Sequence, residues 1–254
     1  MFRRPRLHSL LALSFGLAIC RAEFSLASAY RVTPVQVLLS RESASALLTL
    51  KNESAETLRF QITVVTWSQG SNGQMQVSPT RDILLFPTVL SVAAGEERKI
   101  RVASSVPFGN VERTYRIFFE ELPPLEKPES ARPEVRILTR MGIPIFLAPE
   151  KPGSDPRLEF APVRGGVLSF SVRNGGNVHF TLQGVLVKGL GQDGKAVFER
   201  RAEGWYVLAG GSRDYEIEIP REQCGKLKSL YVETQIDRKT LSEKLEISSA
   251  PCAP

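Results

Sequence analysis

Apolar and polar positions alternate along this chain with the period of β-strands. Short runs rich in Val, Ile, Leu, Phe and Thr recur through its 254 residues, and clusters of Gly, Pro, Asn and Ser separate them. No segment keeps a helical period over a convincing length. In the first half, RVTPVQVLLS, SALLTLKNE, LRFQITVVTWSQ, DILLFPTVLSV, ERKIRVASS, RTYRIFFEEL and EVRILTRMGIPIFLAP read as strands. APEKPGSDP then interrupts the pattern with prolines and no apolar run, as a linker does. The pattern restarts in RLEFAPV, GVLSFSVRN, HFTLQGVLVKGL, AVFERRAEGWYVLA, DYEIEIP, SLYVETQID and LSEKLEI. Two blocks of about a hundred residues, each with roughly seven short strands, predict an all-β chain of two immunoglobulin-like sandwiches in tandem. One large barrel would not account for the proline break.

The last strand of the first block is unusual. Val135, Ile137, Thr139, Met141 and Ile143 fall on one face, and Arg136, Leu138 and Arg140 on the other. From Ile143 onward almost every residue is apolar. A strand this long usually has a neighbour on each side.

The N-terminus carries an export signal. MFRRPR is a basic leader, LHSLLALSFGLAIC holds a short apolar core, and Ala27-Ser28-Ala29 is a cleavage pattern. The expected organisation is a signal over residues 1–29, a first sandwich over 30–149 and a second over 150–254. Cleavage after Ala22 is the alternative. LAIC resembles a lipoprotein signal, but Ile19 is large where such signals need a small residue. Removing four arginines and one glutamate with the signal lowers the formal charge from +6 to +3. The basic excess of the whole chain is therefore weak support for nucleic-acid binding, and a solvated surface accounts for it.

Two cysteines remain after the signal, Cys224 and Cys252. An exported chain permits a disulfide. A hairpin turning near Arg238-Lys239 would set the two opposite each other at its open end. Two free thiols are the alternative.

Catalytic chemistry is sparse. His179 is the one histidine outside the signal, and in NGGNVHF it sits at a strand start, where a structural role is expected. One histidine and two paired cysteines leave little for a metal site or a nucleophilic triad. Glu120 and Glu121 are neighbours in a strand and point to opposite faces, so they do not form a carboxylate pair. No G-x-S-x-G, phosphate loop or dinucleotide fingerprint occurs. The expectation is no enzyme, no cofactor, no metal and no small-molecule substrate.

An ordered set of segments resembles the periplasmic chaperones of the chaperone–usher pilus pathway, the PapD-like family. The segments are VTPVQVLLS, LTLKNES, DILLFPTVLSVAAGEERKIRV, RTYRIFFEELPP, IPIFLAP and LSFSVRNGGNVHFTLQGVLV. They span nearly the whole chain beyond the signal. The WSQ stretch at Trp67 and the pair Tyr115-Arg116 resemble the archaic branch. The resemblance implies a periplasmic protein whose partners are pilin subunits and an outer-membrane usher. It implies that the last strand of the first domain is lent to a subunit lacking a strand, with Val135, Ile137, Thr139 and Met141 as donated side chains. A one-residue slip would offer Arg136, Leu138 and Arg140 instead.

The family also anchors a subunit's terminal carboxylate on buried cations. At the two positions used by the best-studied branch this chain has Gln36 and Pro144, so Arg101, Arg116 and Arg140 are the candidate replacements. The loop over residues 106–112 is expected near the donor strand and the cleft. Residues 123–133, polar and proline-rich, are expected to order when a subunit binds. An exposed apolar edge would favour a self-capped homodimer in the free protein. The competing reading is a structural Ig-like component of a pilus or adhesin. Two complete strand sets and no donor extension after Tyr30 favour the chaperone.

Overall fold

The computed structural model describes residues 29–70, 73–125, 136–247 and 252. The region of the export signal lies outside them, apart from Ala29. So do residues 126–135 of the connection into the expected donor strand, which include Val135.

The first sandwich contains β1 (Tyr30–Thr33), β2 (Val37–Leu39), β3 (Ser45–Asn52), β4 (Leu58–Gln69), β5 (Met75–Pro79), β6 (Ile83–Phe86), β7 (Val89–Val92), β8 (Glu97–Ser104), β9 (Arg113–Leu122) and β10 (Arg140–Leu147). One sheet runs β1-β3-β8-β6. The other runs β2-β10-β9-β4-β5, with β7 also on β4. The second sandwich contains β11 (Pro156–Phe160), β12 (Val167–Asn174), β13 (Phe180–Leu190), β14 (Ala196–Glu203), β15 (Tyr206–Val207), β16 (Ser212–Glu218), β17 (Ser229–Ile236) and β18 (Lys239–Glu246). Its sheets run β11-β12-β16 and β14-β13-β17-β18, with β15 on β13.

Alternation builds each core. Along β9, Tyr115, Ile117 and Phe119 are buried, and they meet Ile143 and Ile145 of β10 and Ile62 of β4 inside the first sandwich. Phe170, Phe180, Val187, Leu230 and Val232 form the corresponding core of the second. Each sandwich also holds one fully buried asparagine at the end of its second long strand. Asn52 donates to the carbonyls of Glu56, Val92 and Ala93, and accepts from the backbone and hydroxyl of Ser54. Asn174 repeats this: it donates to the carbonyls of Val178, Val207 and Leu208, and accepts from the Gly176 N–H. One side chain thus ties three loop and strand-end carbonyls in both domains.

The strands differ from the sequence pattern where proline or glycine intervenes. RVTPVQVLLS and DILLFPTVLSV each divide into two strands on different sheets, at Pro34 and Pro87. A proline has no N–H for the ladder, so the chain changes sheets there. AVFERRAEGWYVLA divides at Gly204, where a Cβ would lie 2.0 Å from the Leu182 carbonyl oxygen, a closeness only glycine allows. β5 was not legible because all five of its residues are exposed and none marks a buried face. The last hairpin turns through Asp237 and Arg238, since Ile236 pairs with Lys239. This is one residue before the centre expected from the sequence. Asp237 takes φ +50°, which a two-residue turn requires. Cys224 and Cys252 are bonded, with Cα atoms 6.0 Å apart. Cys224 sits in a 3-10 turn (Arg221–Lys226) rather than continuing the strand.

Candidate functional site: an open strand edge beside an interdomain cleft

β10 pairs with β9 along its whole length, from Arg140 opposite Glu120 to Leu147 opposite Arg113. On its other side lies the short parallel strand β2, which covers only Ile145, Phe146 and Leu147. The outer edge from Arg140 to Pro144 has no strand beside it among the described residues. Regular strand geometry begins only at Arg140. The reason lies in what the preceding residues touch. Ile137 is 57% exposed and Leu138 42% exposed, so neither has a core to hold it in a ladder. The alternation read from the sequence continues into β10, but among the described residues the apolar side chains before it, Ile137 and Leu138, are left exposed.

Of the four side chains expected on the donor face, Val135 lies outside the described residues. Ile137 projects into solvent. Thr139 faces inward, where its N–H and hydroxyl both donate to the Glu121 carboxylate, at 3.3 and 3.2 Å. Met141 packs half-buried against the core of the first sandwich. Thr139, Arg140 and Met141 also line a shallow depression of about 410 Å³ with Ala29, Tyr30 and Glu53. Burial, ahead of the nearby Glu121 charge, pushes the pKa of the Tyr30 phenol there above its usual value.

The three candidate arginines separate. Arg101 lies on β8, whose neighbours are β3 and β6, so it sits on the sheet opposite β10. The expectation that it neighbours the donor strand is corrected: Ile100 and Val102 take the buried positions of KIRV, and Arg101 faces solvent on the far side. Arg140 and Arg116 both lie on the outer face of the β9–β10 sheet. Arg140 is exposed, 3.5 Å from Glu120 and stacked 4.0 Å over the Phe118 ring. Arg116 stands opposite Pro144, half-buried between two indoles, 4.7 Å from the Trp67 ring centre and 5.1 Å from that of Trp205. Its Nε is buried without a hydrogen bond, and no carboxylate lies within ion-pair distance among the described residues. Burial lowers its pKa.

Trp205 belongs to the second sandwich, so Arg116 marks the cleft between domains. Trp67 and Phe146 from the first domain meet Trp205, Tyr206 and Leu208 from the second. The Gln69 side chain closes this contact by donating to the Tyr206 carbonyl and accepting from the Leu208 N–H. The residue 106–112 loop reaches across as well, since its Glu112 carboxylate accepts from the His179 N–H at 3.0 Å and lies 2.8 Å from His179 Nδ1. His179 stacks on Phe146 with ring centres 3.6 Å apart. A structural role for His179 matches this geometry. Glu112→Ala is expected to weaken domain docking by about 1–3 kcal/mol, because it strips the acceptor from two donors in a nearly dry contact. Small-angle scattering should show a broader spread of interdomain angles. An unchanged profile would mean that the aromatic contact and the remaining cross-domain hydrogen bonds set the angle without this carboxylate.

The sequence did not pair these cross-domain residues, although the resemblance placed the 106–112 loop near the cleft. Trp67, Trp205, Glu112 and His179 sit in separate segments that only the fold brings together. Glu121 had a sequence signal: in RTYRIFFEEL it shares the buried parity of Tyr115, Ile117 and Phe119.

The family model described as the pili and flagellar-assembly chaperone, PapD N-terminal domain, matches residues 29–152, which include the open-edged strand. The first sandwich belongs to the PapD-like chaperones. This is a family of assembly chaperones rather than enzymes. The chaperone's fold is similar to a chain of the CsuC–CsuE chaperone–tip subunit pre-assembly complex from archaic chaperone–usher Csu pili of Acinetobacter baumannii. That likeness has 19% identity, covers 85% of this chain and 98% of the other, and gives a TM-score of 0.60. The Salmonella enterica complex of SafA pilin with the SafB chaperone gives 14%, 86% and 97%, with a TM-score of 0.56. The CupB2 chaperone of Pseudomonas aeruginosa gives 15%, 86% and 100%, with a TM-score of 0.55. At these identities the likeness establishes the two-sandwich fold. No curated protein sequence matches the chain.

Proposed function

We propose that this chaperone works in the periplasm after removal of its leader, captures pilin subunits and passes them to an outer-membrane usher. The observation that carries this is the uncovered edge of β10 from Arg140 to Pro144, continued by the exposed Ile137 and Leu138. A subunit lacking one strand of its own sandwich gains a ladder of main-chain hydrogen bonds from such an edge, and its core gains apolar side chains. Ile137 leads the donated face. The first sandwich, residues 30–149, carries the capture, and the second, residues 150–254, walls the cleft. The archaic branch is the better fit, on Trp67 and the Tyr115-Arg116 pair, of which Trp67 and Arg116 line that cleft.

Arg116 is the anchor for the subunit's terminal carboxylate. It is a cation without an acidic partner among the described residues, held by two indoles at the level of Pro144. Arg140 is already engaged by Glu120, and Arg101 is on the opposite sheet. A charge-assisted bond to a guanidinium contributes about 1.5–3 kcal/mol. Arg116→Ala should therefore weaken subunit capture by roughly 10- to 100-fold at nearly constant melting temperature, whereas Arg101→Ala should leave capture unchanged. Co-expression of the tagged chain with a pilin subunit, followed by native mass spectrometry, tests the whole reading. A one-to-one complex supports it. A subunit that accumulates soluble without the chain, and never co-purifies with it, refutes it. The same edge suits self-capping of the free protein, which sedimentation across a concentration series would reveal as a dimer that the subunit dissolves.

A further inference from the structure

The chain before β10 presents two adjacent apolar side chains, Ile137 and Leu138, both exposed. Neighbours in a strand point to opposite faces, so either could be the one a partner receives. The hydrophobicity of these two side chains does not by itself choose between the registers. Something else must.

Glu121 supplies the choice. It occupies an inward position of β9, in parity with Tyr115, Ile117 and Phe119, and is only 3% exposed. An aliphatic residue would suit that place better, because a buried carboxylate needs donors. Two of them come from one residue: Thr139 gives it both its N–H and its hydroxyl. The Glu121 N–H in turn donates to the Thr139 carbonyl at 2.9 Å. Thr139 is thus held at three points by Glu121, just before regular pairing begins. On the flanks, Arg136 reaches Glu56 at 3.1 Å and Arg140 reaches Glu120 at 3.5 Å, so both arginines stay on polar partners.

We propose that Glu121 is a register latch: by fixing Thr139 inward, its buried carboxylate assigns the odd-numbered side chains to the donated face and makes Ile137, not Leu138, the residue offered to a partner. The inference rests on the donor-strand reading. Thr139 then serves as the pin of the strand within the chaperone, and the slipped register, which would bring Arg136 and Arg140 into a partner's core, is closed off. Glu121 acts through Thr139 and is a positioning residue.

Two variants separate the latch from a merely structural role. Glu121→Leu suits the inward position and removes the acceptor. Glu121→Gln keeps an oxygen that accepts from Thr139. In the free full-length protein, amide exchange measured by NMR should be at least tenfold faster at Thr139 in Glu121→Leu and close to the parent rate in Glu121→Gln. A parent rate in Glu121→Leu overturns the latch. In a complex with a co-expressed pilin subunit, single cysteines at Ile137 or Leu138, carrying a photo-cross-linker, report which side chain enters the subunit. The parent should cross-link into the subunit core from position 137 alone, and Glu121→Leu from both positions. The same selectivity in both backgrounds overturns the proposal. If the parent captures no subunit, the donor-strand reading fails, and the exchange rate still decides whether Glu121 holds Thr139.

Discussion

Ile137→Asp is expected to abolish subunit capture and leave the fold intact. The side chain is 57% exposed and touches no core of its own, so its replacement should change the chaperone's stability by no more than about 0.5 kcal/mol. In a complex the same side chain would be buried. Burying an aliphatic group of this size contributes about 1.5–3 kcal/mol, and the aspartate adds the cost of an unpaired carboxylate in an apolar pocket. Together these weaken capture by roughly three orders of magnitude or more, at 1.4 kcal/mol for each factor of ten. Titration of subunit refolding against variant and parent, with melting curves of both, measures the two quantities separately. A variant that melts far below the parent would place Ile137 in the chaperone's own core. A variant that still captures at parent affinity would remove it from the donor face.

Asn52→Ala should have the largest effect on stability. The side chain is fully buried and makes three donated and two accepted hydrogen bonds. Alanine leaves carbonyls of the loop after β3 and of the end of β7 without this donor, at about 1–3 kcal/mol for each group stranded without water. Local relaxation recovers part of this, so about 3–5 kcal/mol is the expected loss. In a domain of this size each kcal/mol moves the melting point by roughly 4–8 °C, so a fall of well over ten degrees should be seen by calorimetry. Asn174→Ala should destabilise the second sandwich in the same way. A shift of only a degree or two in either would mean that water takes over the carbonyls.

The all-β class and the division into two sandwiches were legible because burial writes itself onto a strand at every second residue. LRFQITVVTWSQ, RTYRIFFEEL and GVLSFSVRN were placed for that reason. β5 was invisible because MQVSP buries no side chain. The breaks at Pro34 and Pro87 were readable as breaks in pairing, but the change of sheet depends on where the chain goes next. The open-edged strand β10 was found by its alternation, yet the sequence does not reveal that a Glu121 carboxylate occupies the inward side of Thr139. Arg101 was misplaced beside the donor strand because strand order across a sandwich is not written in local pattern. The cleft was the least legible part. Its contacts join Trp67 to Trp205 and Glu112 to His179, across two domains that each look complete alone.

The short strand β2 has a consequence for what can be captured. It lies parallel to β10 and starts at Val37, beside Ile145. A visiting strand laid on Arg140–Pro144 would therefore share a lane with β2 and run into its beginning. The lane has a fixed end, and from Arg140 to that end it offers about five residues of pairing, or roughly 16 Å at the usual rise per residue. Its dead end falls at Pro144, the level at which Arg116 waits across the sheet. Under the proposed function, a chain that stops there would fit without a clash and would bring its terminal carboxylate to the cation. The chaperone would then measure its clients by where their sequence ends, with little regard for the side chains on the way.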